Sequence, residues 1–323
     1  MEQLKLTNYL TPEERKALHQ KNDWYASLEI LHTWAWIAAA FALAGLFPNP
    51  LTILIALFVL GGKQLACAII MHDASHYSLF NKNSVNDWVG KWFGAYPILN
   101  NMESYRPYHV EHHLKTGTDH DPDLGLTTGY PTSKKSMTRK FIRDLTGVTG
   151  IKATIGLLAM HLGILAYHMG GKVSKVEVKG SRFQHIAKAA LKNLSGPFMA
   201  NLFLFLLLWS AGSAWLYVLW VIAYLTTFQF CLRVRSMAEH SVVPNRLDPY
   251  QNTRTTYANF LEKMLFAPHH VNYHTEHHLL MAVPCYHLPK MHKMLRERGF
   301  YEKGILEKGY LNIVKLAIGV AVK

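Results

Sequence analysis

Apolar positions in this chain fall in long, unbroken runs instead of the alternating or one-faced patterns of soluble strands and helices. The first run is "ILHTWAWIAAAFALAGLF", residues 30–47, and the second is "LTILIALFVLGGKQLACAIIM", residues 51–71. The third, "PFMANLFLFLLLWSAGSAWLYVLWVIAYLTTFQFCL", occupies 197–232. The hydrocarbon core of a bilayer takes about 20 apolar residues in a helix. The third run is long enough for two crossings, with "SAGS" at Ser210–Ser213 as the turn. The pattern predicts an all-α membrane protein with four transmembrane helices arranged as two hairpins.

The charged residues give this arrangement a direction. The "PNP" link after the first run and the "SAGS" turn carry no charge. Lys and Arg crowd the N-terminus, residues 81–143, residues 172–192 and everything beyond Arg233. The positive-inside rule puts these basic segments in the cytoplasm and the two neutral turns outside. "IKATIGLLAMHLGILAYHMGG", residues 151–171, is apolar enough to cross, but a crossing there would strand the following basic stretch outside. It is expected to lie in or dip into the cytoplasmic interface, with His161 and His168 on its polar face. Lys63, inside the second run, is expected to snorkel toward the cytoplasmic headgroups, with contact to the polar end of a substrate as the rival role.

The chain therefore reads as one domain. Residues 1–29 form a cytosolic N-terminal segment and 30–71 the first hairpin. Residues 72–196 form a cytosolic segment with the interfacial helix, 197–232 the second hairpin, and 233–323 a cytosolic C-terminal region. No repeat or low-complexity linker divides it. The first 27 residues mix acids and bases without an apolar core, so a cleaved signal peptide is not expected. The formal net charge of +13 is read as attraction to anionic lipid, not to nucleic acid. Three scattered cysteines, Cys67, Cys231 and Cys285, leave no CxxC pair, disulfide framework or rubredoxin-type iron site.

Histidine changes the picture most. There are 19, and eight fall into three clusters: "HDASH" (His72, His76), "HVEHH" (His109, His112, His113) and "HTEHH" (His274, His277, His278). In a helix, residues four apart share a face, and the third position flanks it. One turn of HxxHH thus presents three imidazoles as a fan about 100° wide, broad enough to serve two metal ions. All three clusters fall on the cytoplasmic side by the parity of the crossings, and so does His240 in "RSMAEHS". A lone histidine is usually a surface or satisfied core residue, the role expected of His19, His32, His185, His287 and His292. Eight neutral rings packed together would instead leave unpaired nitrogens, each costing about 1–3 kcal/mol when buried. Metal coordination removes that cost, and imidazole suits zinc, copper, iron and nickel. Eight or nine ligands exceed the four of a structural zinc, so a pair of metals fits better. Iron is favoured because such a site at a membrane surface suits oxygen activation on apolar substrates.

HxxxH, HxxHH and HxxHH in this order, interleaved with two apolar hairpins, resemble the membrane fatty acid desaturase and hydroxylase superfamily. The flanks "YRPYHVEHHLKTGTDHDPDL" and "APHHVNYHTEHHLLMAVPCYHLPKMH" are similar to its acyl-lipid desaturase branch, and the likeness spans roughly Ile30 to Arg298. It implies four transmembrane helices under a cytosolic helical cap, an oxygen requirement and a di-iron centre. Carried over by position, the iron ligands fall on His72, His76, His109, His112, His113, His274, His277 and His278, with His240 as a ninth. Some relatives hold a metal-bound water with an asparagine four residues before the last of these; Ser236 stands there in this chain. His269 and His270 are extra, and are expected to support or position rather than ligate.

Ligating imidazoles need their second nitrogen held. Glu111, Glu239, Glu276, Asp73, Asp119, Asp121, Asp123 and His270 stand near enough to the boxes to do so. The acids of "TDHDPD" could equally cap a helix or form an ordinary turn. The resemblance implies an oxygen-dependent fatty acyl desaturase. A lipid, alkane or carotenoid hydroxylase or ketolase on the same scaffold is the near rival, a membrane metal transporter or metal-binding protein the distant one, and a non-redox metallohydrolase a third. No haem-binding HPGG segment, CxxC pair or nucleotide fingerprint is present, so electrons are expected from a separate ferredoxin or cytochrome and its reductase.

Overall fold

The computed structural model describes residues 4–178 and 180–320; the outermost residues of both expected terminal segments lie outside the described residues. Helix α1, Pro12–Leu18, opens on a reciprocal cap between Thr11 and Glu14 with Pro12 in its first position, where a missing N–H costs nothing. Helix α2, Asp23–Leu46, starts at Asn22, whose side chain accepts from the backbone of Trp24 and Tyr25. It begins seven residues before the apolar run because that cap and Ala26, buried in the core cluster that also holds Ile70 and Ala74, extend it past the lipid-like stretch. Helix α3, Pro50–Ser75, follows an equivalent Asn49 cap. It runs beyond the apolar segment to place His72 on its last turn and His76 at its C-cap.

Helix α4, Met102–Lys115, is capped by Asn101, and the amphipathic α5 covers Lys134–Leu145. Helix α6, Val148–His161, has 14 residues, too few to cross a bilayer core that takes about 20. The chain beyond it turns into an isolated bridge between Leu165 and Lys175. His161 is buried and donates through Nε2 to the Leu99 carbonyl at 2.8 Å. The expected polar face of this segment thus turns into the protein at His161.

Helix α7, Arg182–Ser210, contains Pro197, although the apolar pattern starts the crossing there. The preceding polar residues continue the same helix from the Ser181 cap, and the Asn201 amide donates to the Pro197 carbonyl. Beyond the expected turn, α8 (Leu216–Leu225) and α9 (Thr227–His240) form one segment bent at Thr226. Four stretches are long and apolar enough to cross a membrane: α2, α3, α7 and Leu216–His240. After these come β1 (Arg254–Tyr257), α10 (Phe260–Leu265), α11 (His274–Leu279), α12 (Leu288–Glu297), β2 (Ile305–Lys308) and α13 (Tyr310–Ala317), and short helical turns at Asn83–Val89 and Leu124–Thr127 lie earlier in the chain. The all-α expectation is corrected here: β1 and β2 pair in parallel, from Arg254 opposite Ile305 to Tyr257 opposite Lys308.

The spine of the fold is α3, buried almost continuously from Val59 to Ser75. Two glycines let neighbours reach its backbone. A Cβ on Gly61 would stand 2.7 Å from the Phe228 nitrogen, and one on Gly62 2.6 Å from the Met264 carbonyl. Lys63, next in line, does not snorkel. It is only 3% exposed, its ammonium lies 5.9 Å from the centre of the Trp36 ring, and α2 and α10 close over the route to solvent. Nine residues separate it from His72, two and a half helical turns, so the two project from opposite faces of α3. All three cysteines are buried and free.

Candidate metal centre

Four elements bring histidines together. The end of α3 supplies His72 and His76, α4 supplies His109, His112 and His113, α9 ends in His240, and α11 supplies His274, His277 and His278. The rings form two groups, within each of which one nitrogen per ring lies within 4.8 Å of every other. One holds His72, His76, His109, His113 and His277; the other holds His112, His240, His274 and His278.

The two HxxHH turns divide crosswise. In α4 the outer pair, His109 and His113, enters the first group and His112 the second. In α11 the outer pair, His274 and His278, enters the second group and His277 the first. Helical geometry compels this: positions i and i+4 lie about 40° apart, while i+3 falls on their other flank. The groups adjoin, with the His113 and His278 ring centres 4.2 Å apart.

Ring nitrogens meet ring nitrogens here. His113 Nε2 is 3.0 Å from both His109 Nε2 and His277 Nε2, and His274 Nε2 is 2.8 Å from His240 Nε2. His72 Nε2, His76 Nε2 and His278 Nε2 are buried without any hydrogen-bond partner. A neutral imidazole has one N–H to give, so such a cluster cannot satisfy itself. Burial, reinforced by the neighbouring rings and by Arg106 beside His76, holds His76 down to about 3 and His113 to about 2; His109, His274, His277 and His278 also fall well below the usual range. Neutral rings with converging lone pairs are the donor set a divalent cation requires.

Several rings are held from behind. His72 Nδ1 donates to Asp73 and His112 Nδ1 to Asp121, each at 2.7 Å. His240 Nδ1 donates to the Asn252 carbonyl at 3.0 Å, and His278 Nδ1 lies 3.3 Å from the Thr116 hydroxyl. Glu239 Oε1 lies 3.4 Å from His274 Nδ1 and 2.7 Å from Arg235 Nε. At His112, burial opposes the positive charge, but the hydrogen bond to Asp121 and the nearby Asp123 prevail and raise its pKa. Asp121 also accepts from the backbone of Gly117 and Asp123, so turn-former and ring-holder are one residue.

Other expected supports stand elsewhere. Glu111 pairs with Lys115 on the exposed face of α4, and Asp119 pairs with Arg246 at the surface. Glu276 is buried but touches none of the nine rings; it accepts from Thr255 at 2.6 Å, from His292 Nδ1 at 2.7 Å and from Tyr301. His292, expected to be a surface or satisfied core residue, is the latter: it is buried, and its Nδ1 holds the α11 carboxylate. His270 belongs to neither group, and Ser236 donates its hydroxyl to the Leu232 carbonyl. Thr116 and Asn252 were not foreseen. Nothing in a sequence marks a backbone carbonyl for this use.

The sequence matches the family model described as "Fatty acid desaturase" over residues 46–308. The chain belongs to the fatty acid desaturase family. It is 26% identical over 261 residues to dihydrorhizobitoxine desaturase of Bradyrhizobium elkanii, covering 77% of this chain and 69% of the relative. It is 27% identical over 251 residues to sn-1 oleoyl-lipid 12-desaturase of Synechocystis sp., covering 73% and 66%. The same-named protein of Picosynechococcus sp. is 24% identical over 294 residues, covering 87% and 80%. As a desaturase-family member with four membrane-length helices, this protein is a membrane oxidoreductase.

Proposed function

We propose that the protein is an oxygen-dependent acyl-lipid desaturase whose nine clustered imidazoles hold two iron ions. The observation that carries this is the partition of those rings into two adjoining groups at the ends of membrane-length helices. His72, His76, His109, His113 and His277 would hold one ion, and His112, His240, His274 and His278 the other. Bound iron supplies the one-electron and oxygen chemistry that no side chain provides. The net reaction removes two hydrogens from adjacent methylenes, consumes dioxygen with two electrons and two protons, and yields a double bond and two waters.

The chain's own residues set the conditions. Asp73, Asp121, Thr116 and the Asn252 carbonyl fix ring orientation. Burial holds His76, His109, His113, His274, His277 and His278 neutral and able to donate. The apolar crossings present the alkyl chain from the lipid side. The names of the relatives favour desaturation over hydroxylation, and the two oleoyl-lipid enzymes support an acyl-lipid substrate.

The basic segments support a cytoplasmic location for the N-terminus, the histidine groups and the C-terminal region, with α2–α3 and α7–α9 as two membrane hairpins and the remainder as one cap. Electrons come from an external ferredoxin or cytochrome with its reductase, docking by opposite charge on the basic face. Turnover that is indifferent to ionic strength would contradict that docking.

The decisive test joins metal analysis of the purified protein to a lipid profile from a host lacking unsaturated lipids of its own. Two irons per chain and products short of two hydrogens are expected. Products carrying one added oxygen would make it a hydroxylase, and stable zinc loading without oxidation would end the reading.

A further inference from the structure

The turn that delivers α11 to the centre has a strained backbone. His269 (φ 52, ψ 35) and His270 (φ 58) are both left-handed, a region where Cβ crowds the following carbonyl and glycine alone rests easily. Two such residues in succession, neither of them glycine, persist only where their surroundings hold them. At His269 those surroundings are explicit. Its side chain is 3% exposed. Nδ1–H donates to the Glu29 carboxylate at 2.8 Å, and Nε2 accepts from the Thr33 hydroxyl at 2.9 Å. Glu29 and Thr33 are four residues apart on one face of α2, and α2 contributes no ring to either metal group.

The pair of left-handed residues kinks the chain between α10 and α11. Val271 N donates to the Pro268 carbonyl and Tyr273 N to the His270 carbonyl, which closes the turn. Helix α11 has six residues, too few to fix its own direction. Its heading is set by the turn that precedes it together with the anchoring of its buried Glu276 by Thr255, His292 and Tyr301.

We infer that His269 is a positioning residue: gripped by Glu29 and Thr33, its ring holds the strained turn that aims His274, His277 and His278 at the metal groups. Both of its nitrogens are engaged by α2, so it is not itself a ligand. Through it, a transmembrane helix without ligands governs the geometry of the third box. The inference rests on the proposed metal site.

Four forms separate the ring's role from the backbone's: His269→Ala, His269→Gly, the double variant Glu29→Ala/Thr33→Val, and wild type. Each is purified, loaded with ferrous iron and challenged with a chelator; retained iron and the Mössbauer spectrum are recorded. Wild type must load first, and its failure to do so would defeat the metal site itself, not this inference. The Ala variant is expected to retain iron about 10-fold more weakly, the scale of losing support behind a ligand, with an altered spectrum. His269→Gly, which adopts the left-handed conformation without cost, should recover most of that loss. The Glu29/Thr33 double variant should resemble Ala. The inference is overturned if Gly is as poor as Ala, or if the double variant matches wild type in retention and spectrum.

Discussion

His277 Nε2 stands 3.0 Å from His113 Nε2 across 164 residues of chain, a contact in which one ring gives its N–H to the other unless a cation takes both lone pairs. Replacing either by leucine removes an ill-satisfied polar atom and keeps most of the volume. His113→Leu and His277→Leu are therefore expected to lose bound iron and all product. The metal-free protein should melt within a few degrees of wild type, or higher. Elemental analysis with thermal unfolding in detergent checks both halves; an unchanged iron content would remove these residues from the ligand set.

Asp121 and Glu111 lie on either side of His112, yet only Asp121 reaches a ring. Asp121→Ala leaves His112 Nδ1 without its acceptor and should weaken metal retention by about 10–100-fold. Glu111→Gln breaks only an exposed i,i+4 pair with Lys115, which solvent screens. Metal retention and turnover should stay at wild-type levels. Equal behaviour of the two variants would contradict the arrangement around His112.

Lys63 is a buried cation with no hydrogen bond or carboxylate ion pair among the described residues. Its Trp36 contact, at 5.9 Å, is near the outer limit of about 6 Å for such pairs. Burying an unpaired ammonium costs more than burying a neutral polar group, itself about 1–3 kcal/mol, and so more than the roughly 0.5–1 kcal/mol the contact returns. Lys63→Met should raise the melting temperature in detergent. A marked fall would show that the ammonium serves a partner bound within the membrane.

The start of the chain is fastened to its far end. Arg298 donates to both Glu14 oxygens at 2.6 Å. That hydrogen bond, with the Thr11 backbone, lowers the Glu14 carboxyl from 4.5 to about 2. A carboxylate depressed in the folded state adds stability above its unfolded pKa, which is lost as pH falls through the folded value. Protection of the amides of residues 11–18, measured against their intrinsic exchange rates, should therefore fall between pH 4.5 and about 2, and Arg298→Ala should have lost that protection at pH 6 already. Added salt should lower it in wild type, because the pair is exposed.

Much of this was legible in the sequence for a simple reason: helical periodicity acts over a few residues. Apolar runs gave the four long helices, and HxxHH gave rings on both flanks of one turn. The limits of the helices were less legible. Asn22 caps α2 before its apolar run, and polar residues from Arg182 continue α7 upstream of Pro197. Support behind the rings was legible at Asp121, which the chain brings back nine residues after His112, but not at Thr116 or Asn252. Glu111 is adjacent to His112 in sequence, yet neighbouring positions on a helix point apart. Lys63 misled because its snorkelling route depends on what packs over α3, and α10 arrives there from about 200 residues later in the chain.

The touching of α3 and the fourth long segment at Gly61 has a mechanical side. There the two backbones meet near Phe228, while the histidines each carries lie further along, at His72 and His240. Eleven and twelve residues amount to arms of about 15–20 Å at 1.5 Å per residue. Any rocking of one helix against the other about that fulcrum is magnified at the far tips. The spacing between the two histidine groups is consequently geared to how tightly α3 and the fourth segment pack at this crossing, and a bulkier residue at position 61 would spread the tips apart without touching a single imidazole.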